Sequence, residues 1–370
     1  MTLMSAADVI AGPGARFVRP APTVVSGGTV YDEAVLRVWP GRPPEDVVLE
    51  GDWPDGPGTA SRLADALRGA SDAVVDGLVG AAHPDVLRDA QAAGTTATLL
   101  VHLPLPDETG LTPERTRELA AREAESVALV SRVVATSRTA AADLARRYGR
   151  TDVEVAPPGV DPSLTSGPAA VGSSPPRVLC LASLTPRKNH VGLLAALARL
   201  TDLPWHAVFA GPGDDTDRAR ITDAIATTGL GDRVTLTGPL AGADLEETWA
   251  GTDVLALPSL AETYGMVVTE AIAHGVPAVV AAGTGAVEAL GDGDGPDPGL
   301  AADTRNPADL ARALRTVLTH PEFREFARRR RTGLRSWSAT AALLAGVFPA
   351  DVGPPVDADL PIRPDPESTS

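Results

Sequence analysis

Lysine is almost missing from this chain: of 32 basic residues, one, Lys188, is lysine and all the others are arginine. Cysteine is equally scarce. Cys180 stands alone in an apolar run at 177–182, which excludes an internal disulfide and fits a small buried side chain better than a nucleophile. No apolar run reaches the roughly 20 residues that cross a bilayer, so an integral membrane protein is not expected. The start lacks a basic segment followed by a sustained apolar stretch, so no secretory signal is read and a cytoplasmic location is expected. Positive charge is in deficit as well: 32 basic against 48 acidic residues give a formal charge of -16. That balance opposes the basic stripe that neutralises nucleic-acid phosphates, so no nucleic-acid partner is expected. The four arginines at 328–331 read as a solvated helix face rather than a membrane-binding patch.

What the chain does contain is globular. Hydrophobic residues make up 44% and charged residues 22% of 370 positions, a length that favours two cores over one. Short aliphatic runs alternate with helical patterns, the signature of parallel sheets covered by crossover helices. Runs at 73–76, 97–102 and 133–135 read as strands buried on both faces. Thr112 and Pro113 open a helix as cap and first residue, and a second helix at 140–148 is closed by Gly149. Residues 165–176, rich in Ser, Gly, Pro and Ala, read as a linker. Beyond it, strands are expected at 178–181, 207–210, 234–236, 254–256 and 278–280. A helix with Leu193, Leu194, Leu197 and Leu200 on one face follows the first of them, and Asn306 before Pro307 caps another.

The expected architecture is therefore α/β, with a first domain at 17–164, the linker at 165–176 and a second domain at 177–336. A terminal helix follows at 337–349. The Pro-, Asp- and Ser-rich ends, from Met1 to about Pro20 and beyond residue 350, are left outside the fold, with 1–16 and 350–370 as the formal limits.

The lone lysine is informative in an arginine background. A compact ammonium and a broad planar guanidinium suit different sites, and a slim cation beside a phosphate resists the exchange. The richest stretch is PSLAETYGMVVTEAIAHGVP at 258–277. It follows a strand and ends at one. Gly275 and Pro277 stop a helix that begins near Gly265, which leaves Glu262 in the strand-to-helix loop and Glu270 inside the helix. Ligands of open α/β sheets sit beyond the carboxyl ends of the strands, where a helix N-terminus offers free amides to an anion such as a diphosphate. Gly265 lets that backbone approach closely. Glu262 is placed to accept from sugar hydroxyls and Glu270 from those of a ribose.

This segment resembles the Glu-x7-Glu signature of the family 4 retaining glycosyltransferases (glycosyl transferases group 1), whose GT-B architecture sets two Rossmann-like domains face to face across a cleft. The stretch ASLTPRKNH at 182–190 is similar to the family's loop of basic residues for the donor diphosphate. Lys188 matches its lysine; many members carry an arginine where this chain has Ser183, and Arg187 is expected to supply that charge. SGGTVY at 26–31 looks like the family's glycine-rich loop, with Gly27 and Gly28 approaching donor and acceptor, although PGRPP at 40–44 breaks the helical pattern behind it. His102, at a strand end, occupies the place of a histidine beside the transferred sugar. APPGVDP at 156–162 is similar to the crossover between the domains, and residues 337–348 to the helix that returns to the first one. AGPG at 210–213 and TGP at 237–239 follow strands and are expected near the nucleotide.

The resemblance implies transfer of a sugar from a UDP- or GDP-linked donor to an unidentified acceptor, with retention of anomeric configuration. His102, Lys188 and Glu262 would be the catalytic group. Gly27, Gly28, Arg187, Lys188, Gly238, Glu262, Tyr264, Gly265, Met266 and Glu270 would bind the donor. The co-substrate is the nucleotide-sugar itself; no cofactor and no metal are expected, and Asp292 with Asp294 reads as an acidic turn rather than a cation site. Oligomeric state is left open. An epimerase or hydrolase of the same architecture, or a non-catalytic sugar-nucleotide-binding protein, are the alternatives; the absence of Gly-x-Gly-x-x-Gly in a first βα turn speaks against a nicotinamide enzyme.

Overall fold

The computed structural model describes residues 14–22, 26–291 and 295–347. They form two six-stranded parallel sheets. The first contains β1 (Ala15–Pro20), β2 (Glu45–Leu49), β3 (Asp72–Asp76), β4 (Thr96–Val101), β5 (Arg132–Ala135) and β6 (Glu154–Val155), in the order β2-β1-β3-β4-β5-β6. The second contains β7 (Arg177–Leu181), β8 (His206–Ala210), β9 (Val234–Gly238), β10 (Val254–Leu257), β11 (Ala278–Ala281) and β12 (Gly299–Ala302), in the order β12-β11-β10-β7-β8-β9. Helices connect the strands. Around the first sheet they are α1 (Gly27–Arg37), α2 (Thr59–Leu67), α3 (Gly77–Gly80), α4 (Pro84–Ala92), α5 (Pro113–Leu129), α6 (Arg138–Tyr148) and the short α7 (Pro162–Ser166). Around the second they are α8 (His190–Leu197), α9 (Asp215–Thr228), α10 (Gly242–Ala250), α11 (Met266–Ala273), α12 (Ala286–Gly291), α13 (Pro307–Thr319) and α14 (Glu322–Arg330). α15 (Trp337–Ala345) closes the described chain.

Strand periodicity explains the layers. Val18, Val75, Leu99 and Val133 point to one face of the first sheet and pack with Leu63, Leu87 and Leu144. Their neighbours Phe17, Val74, Leu100 and Val134 point to the other and pack with Tyr31 and Val35 of α1 and with Trp337, Ala341 and Leu344 of α15. Both faces are apolar because both are covered. In the second sheet Val178, Cys180 and Phe209 meet Leu193, Leu194, Leu197 and Leu200, while Leu179, Leu255 and Val280 meet Val268 and Ile272 of α11. Cys180 is fully buried and its thiol is pushed up to about 12 by that burial, so it is a packing residue.

α15 packs on the first domain. Trp337 packs edge-on against Tyr31 at 5.6 Å between centroids, and Thr340 donates to the Pro157 carbonyl at 2.7 Å. A side chain at Gly159 would stand 2.4 Å from the Ser336 carbonyl carbon, so this crossing admits only glycine.

Three expectations are corrected. The amino-terminal segment does not remain outside the fold up to residue 16, or to about Pro20: β1 begins at Ala15 and pairs with both β2 and β3, one strand in from the sheet edge. Its alternation is obscured by arginines, of which Arg16 and Arg19 reach carboxylates of β2 at 3.0 and 2.8 Å. The glycine pair is not a loose loop. Gly27 and Gly28 form the first turn of α1, fixed by a capping box between Ser26 and Thr29, and the helix ends before the prolines at 40–44. The arginine run is not a purely solvated face either. Arg331 donates to the carbonyls of Leu164, Gly167 and Ala273, and Arg328 to that of Ala170, so the run clasps the segment that joins the domains. Asp292 and Asp294 lie outside the described residues, as does Phe348.

Candidate functional site

Chain order along the second sheet reverses between β7 and β10, since β8 and β9 extend one way and β11 and β12 the other. Loops leaving the carboxyl ends of such strands part to opposite faces and open a crevice. Lys188 stands in the loop after β7 and Glu262 in the loop after β10. The two meet: Lys188 Nζ lies 2.5 Å from Glu262 Oε2, with side chains 15% and 11% exposed. The loops are laced together by Leu260 N–H to the Arg187 carbonyl at 2.8 Å and by Arg187 Nη1 to the Ala261 carbonyl at 3.1 Å.

Asn189 completes the lacing. Its φ of 56° is the left-handed conformation that a short polar side chain tolerates. Its amide donates to the carbonyls of Pro258 and Thr304, and its oxygen accepts from Gly192 N–H to cap α8. Burial raises the pKa of Glu262, but the Lys188 ammonium and the nearby Arg187 outweigh it and hold the carboxyl below the usual range. Glu262 is therefore a carboxylate at neutral pH, paired with Lys188 where the two loops meet.

α11 begins beside this pair. Gly265, with φ of 82°, is its N-cap, and no side chain caps the helix, so its first amides remain available to an anion. A side chain at Gly285 would stand 1.8 Å from the Thr263 carbonyl oxygen, which shows how closely the loop is folded on α12. The Tyr264 ring is 3% exposed and packed among Leu255, Val268 and Ile272; it supports the loop from beneath.

Glu270 lies one turn further along α11 and lines a cavity of about 250 Å³ with Val30, Glu33, Arg37, Asp161, Met266 and Trp337. Burial alone pushes its carboxyl up to about 7. Unlike Glu262, it makes no ion pair with a cation among the described residues, so the loss of water is not offset.

The first domain contributes from α1 and from the ends of β3 and β4. A side chain at Gly27 would stand 3.9 Å from Met266 Sδ, and one at Gly28 would stand 3.1 Å from His102 Cδ2. The two glycines thus allow the first turn of α1 to sit between His102 and the start of α11. His102 Nε2 is 2.8 Å from Asp32 Oδ1 and 3.5 Å from Asp76 Oδ2, and its ring meets Tyr31 edge-on at 4.9 Å. Among the described residues, Asp32, Asp76 and His102 form a group whose potential metal-ligand atoms lie within 4.8 Å of one another. Sequence reasoning missed both aspartates. Asp32 sits four residues after Gly28 and Asp76 ends a recognised strand, but nothing in their spacing ties either to His102.

The domains also touch beside the signature loop. Ser137 Oγ caps α6 by accepting from Ala140 N–H and donates its proton to the Thr263 carbonyl. Glu288 accepts from the amides of Arg138 and Thr139. Gly238 stands apart from the Lys188–Glu262 pair, at the end of β9 two strands from β7, where its nearest side chain is Arg218.

Two facing parallel α/β domains with a crevice between them make this a GT-B fold. Residues 168–332 match the family model of glycosyl transferases group 1. Similar curated proteins include D-inositol 3-phosphate glycosyltransferases of Geodermatophilus obscurus, 32% identical over 247 residues, and of Kineococcus radiotolerans, 31% identical over 255. Those matches cover 62% and 61% of this chain but 54% and 58% of the relatives, so the chain spans little more than half of their length. Among solved structures, sucrose-phosphate synthase of Thermosynechococcus elongatus superposes with a TM-score of 0.72 at 18% identity, over 90% of this chain and 98% of that one. Anabaena HepE in complex with UDP and glucose superposes with a TM-score of 0.69 at 17% identity, over 90% and 98%. At such identities the superpositions speak for the fold.

Proposed function

We propose that the chain transfers a sugar from a nucleoside-diphosphate sugar, UDP- or GDP-linked, to an acceptor that remains to be identified, with retention of anomeric configuration. The observation that carries this reading is the Lys188–Glu262 pair at the reversal point of the second sheet, beside the uncapped N-terminus of α11. As the glycosidic bond breaks, negative charge grows on the leaving diphosphate. Lys188, Arg187 and the α11 amides would meet that charge without rearrangement, which is the condition under which electrostatic stabilisation is most effective. Glu262 would accept from hydroxyls of the transferred sugar and Glu270 from those of the ribose. Gly27, Gly28, Gly265 and Met266 would shape the passage between the domains, His102 would lie against the sugar, and Gly238 would border the nucleotide from β9. Tyr264 would serve through its support of the loop.

The relatives are D-inositol 3-phosphate glycosyltransferases, which makes a phosphorylated polyol a reasonable first acceptor to try. No metal is assigned a part, because side chains and amides already supply positive charge for the diphosphate. A cytoplasmic location fits the absence, among the described residues, of a helix long and apolar enough to cross a membrane.

The test is release of nucleoside diphosphate from a panel of nucleotide-sugars, measured with and without candidate acceptors, together with the anomeric configuration of the product. Acceptor-dependent release supports transfer. Release that ignores every acceptor would favour an epimerase or hydrolase, and binding without release would favour a non-catalytic sugar-nucleotide-binding protein.

A further inference from the structure

His102 is served by two carboxylates, and that number decides its chemistry. In a His–Asp pair, a neutral ring donates one N–H to the carboxylate and keeps a lone pair on its other nitrogen, which can then act as a base. Here Asp32 and Asp76 converge on the same nitrogen, Nε2, at 2.8 and 3.5 Å. Both aspartates are buried, at 1% and 4% exposed. Asp76 also accepts from Leu78 N–H at 2.6 Å, whereas Asp32 Oδ2 is buried with no N–H donor among the described residues, its side-chain neighbour being the Asp76 carboxyl.

A buried carboxylate with an unsatisfied oxygen needs a nearby positive charge. Glu33 of α1 lies 3.7 Å from Arg19 Nη1 at the edge of the cluster. Arg19 of β1 acts on Asp32, but its Nε and Nη2 are committed to Asp46 at 2.8 Å each. Arg335 acts on Tyr31, whose hydroxyl donates to the Ala156 carbonyl and whose proton is held firmly by burial. The His102 ring is the group in direct contact with both carboxylates. Burial works against a charged ring, yet Asp32 and Asp76 together outweigh it and hold the pKa of His102 above the ordinary histidine value. Burial and the neighbouring Asp32 push the Asp76 carboxyl upward at the same time.

We propose that Asp32 and Asp76 are positioning residues that turn Nε2–H of His102 inward and hold the ring as an imidazolium, leaving Nδ1–H as a hydrogen-bond donor for an oxygen of the bound sugar or leaving phosphate. The identity of that oxygen rests on the glycosyl-transfer reading; the state of the ring does not. His102 would then stabilise developing negative charge rather than abstract the acceptor proton. Gly28 permits this placement, since any side chain there would press on the ring.

The test is a pH titration of the full-length chain carrying isotope-labelled histidine, followed by NMR. The chain has six histidines, and the His102 signals are assigned by their loss in His102→Gln. The expected result is a midpoint above about 6.5, the ordinary value, that falls by about one pH unit or more in Asp32→Asn and falls also in Asp76→Asn. Nitrogen shifts should report Nδ1 as protonated at neutral pH. Should Asp32→Asn fail to fold by its melting curve, the wild-type midpoint and Asp76→Asn still decide. A wild-type midpoint at or below 6.5, or one unmoved in both folded variants, would overturn the proposal. So would a midpoint displaced by EDTA, which would assign the trio to a cation. Because the titration uses no substrate, its outcome stands apart from turnover: a correct midpoint without any donor turnover removes the glycosyltransferase reading alone, and turnover with an ordinary midpoint removes this one alone.

Discussion

Lys188 and Glu262 are 74 positions apart in sequence, yet the ammonium and carboxylate touch at 2.5 Å because β7 and β10 are neighbours in the sheet. That contact joins the chain's one lysine to the first glutamate of the signature. It also dictates how replacements should behave. Lys188→Ala removes the nearest compact cation from the proposed diphosphate site and strands a largely buried carboxylate. A charge-assisted contact of this kind contributes about 1.5 to 3 kcal/mol, so affinity for the nucleoside diphosphate should fall roughly ten- to hundredfold, with a further loss in turnover. Lys188→Arg should recover part of this, the fork being wider than the ammonium. Calorimetric titration of UDP and GDP into the folded variants checks it, and unchanged affinity in Lys188→Ala would remove the residue from the site.

The two glutamates should fail differently. Glu270 would contact ribose hydroxyls, which do not change during transfer, so Glu270→Ala should mainly raise the donor KM. Glu262 would contact the sugar that gains positive charge, so Glu262→Ala should mainly lower kcat. Steady-state kinetics with one donor, on variants with matched melting curves, distinguish the two; the reverse pattern would refute the assigned roles.

Glu270 also predicts a pH dependence of stability. Its carboxyl titrates near 7 in the folded chain and near about 4.3 when unfolded. Between those values the folded state holds the extra proton, so the group's contribution to stability falls as pH rises from 4.3 to 7 and is flat beyond. Glu270→Gln cannot ionise, so its melting temperature should gain on wild type across that window. Parallel melting curves from pH 4.5 to 8 would contradict the burial argument.

Donor turnover should persist in EDTA, because Lys188, Arg187 and the α11 amides are proposed to carry the phosphate charge. Complete loss that a divalent metal restores would contradict this and direct attention to the Asp32, Asp76 and His102 trio or to Asp292 and Asp294.

The second domain was the more legible half in sequence, and the reason is physical. Its five recognised strands are nearly continuous aliphatic runs, and its loops carry residues with few alternative uses: a lone lysine, an asparagine in a left-handed turn, a glycine at a helix start. β12 was missed because Gly299–Ala302 carries a single large aliphatic residue, Leu300, and no β-branched one. In the first domain the arginines of β1 pair with acids of β2, which hides the burial of β1; β2 is a largely exposed edge strand, and β6 is two residues long. The interdomain contacts were not legible either. Ser137 looks like an ordinary helix cap, and Asp32 looks like one more acid on a helix; each acquires its role from a partner 126 or 70 positions away.

The most direct test is a crystal structure of the full-length chain with UDP- and GDP-sugars soaked in. The diphosphate should lie between Lys188, Arg187 and the first amides of α11, with the ribose at Glu270 and the sugar between Glu262 and His102. A nucleotide bound at another place, or no nucleotide bound with Lys188 and Glu262 still paired at millimolar donor, would contradict the assignment of the donor site.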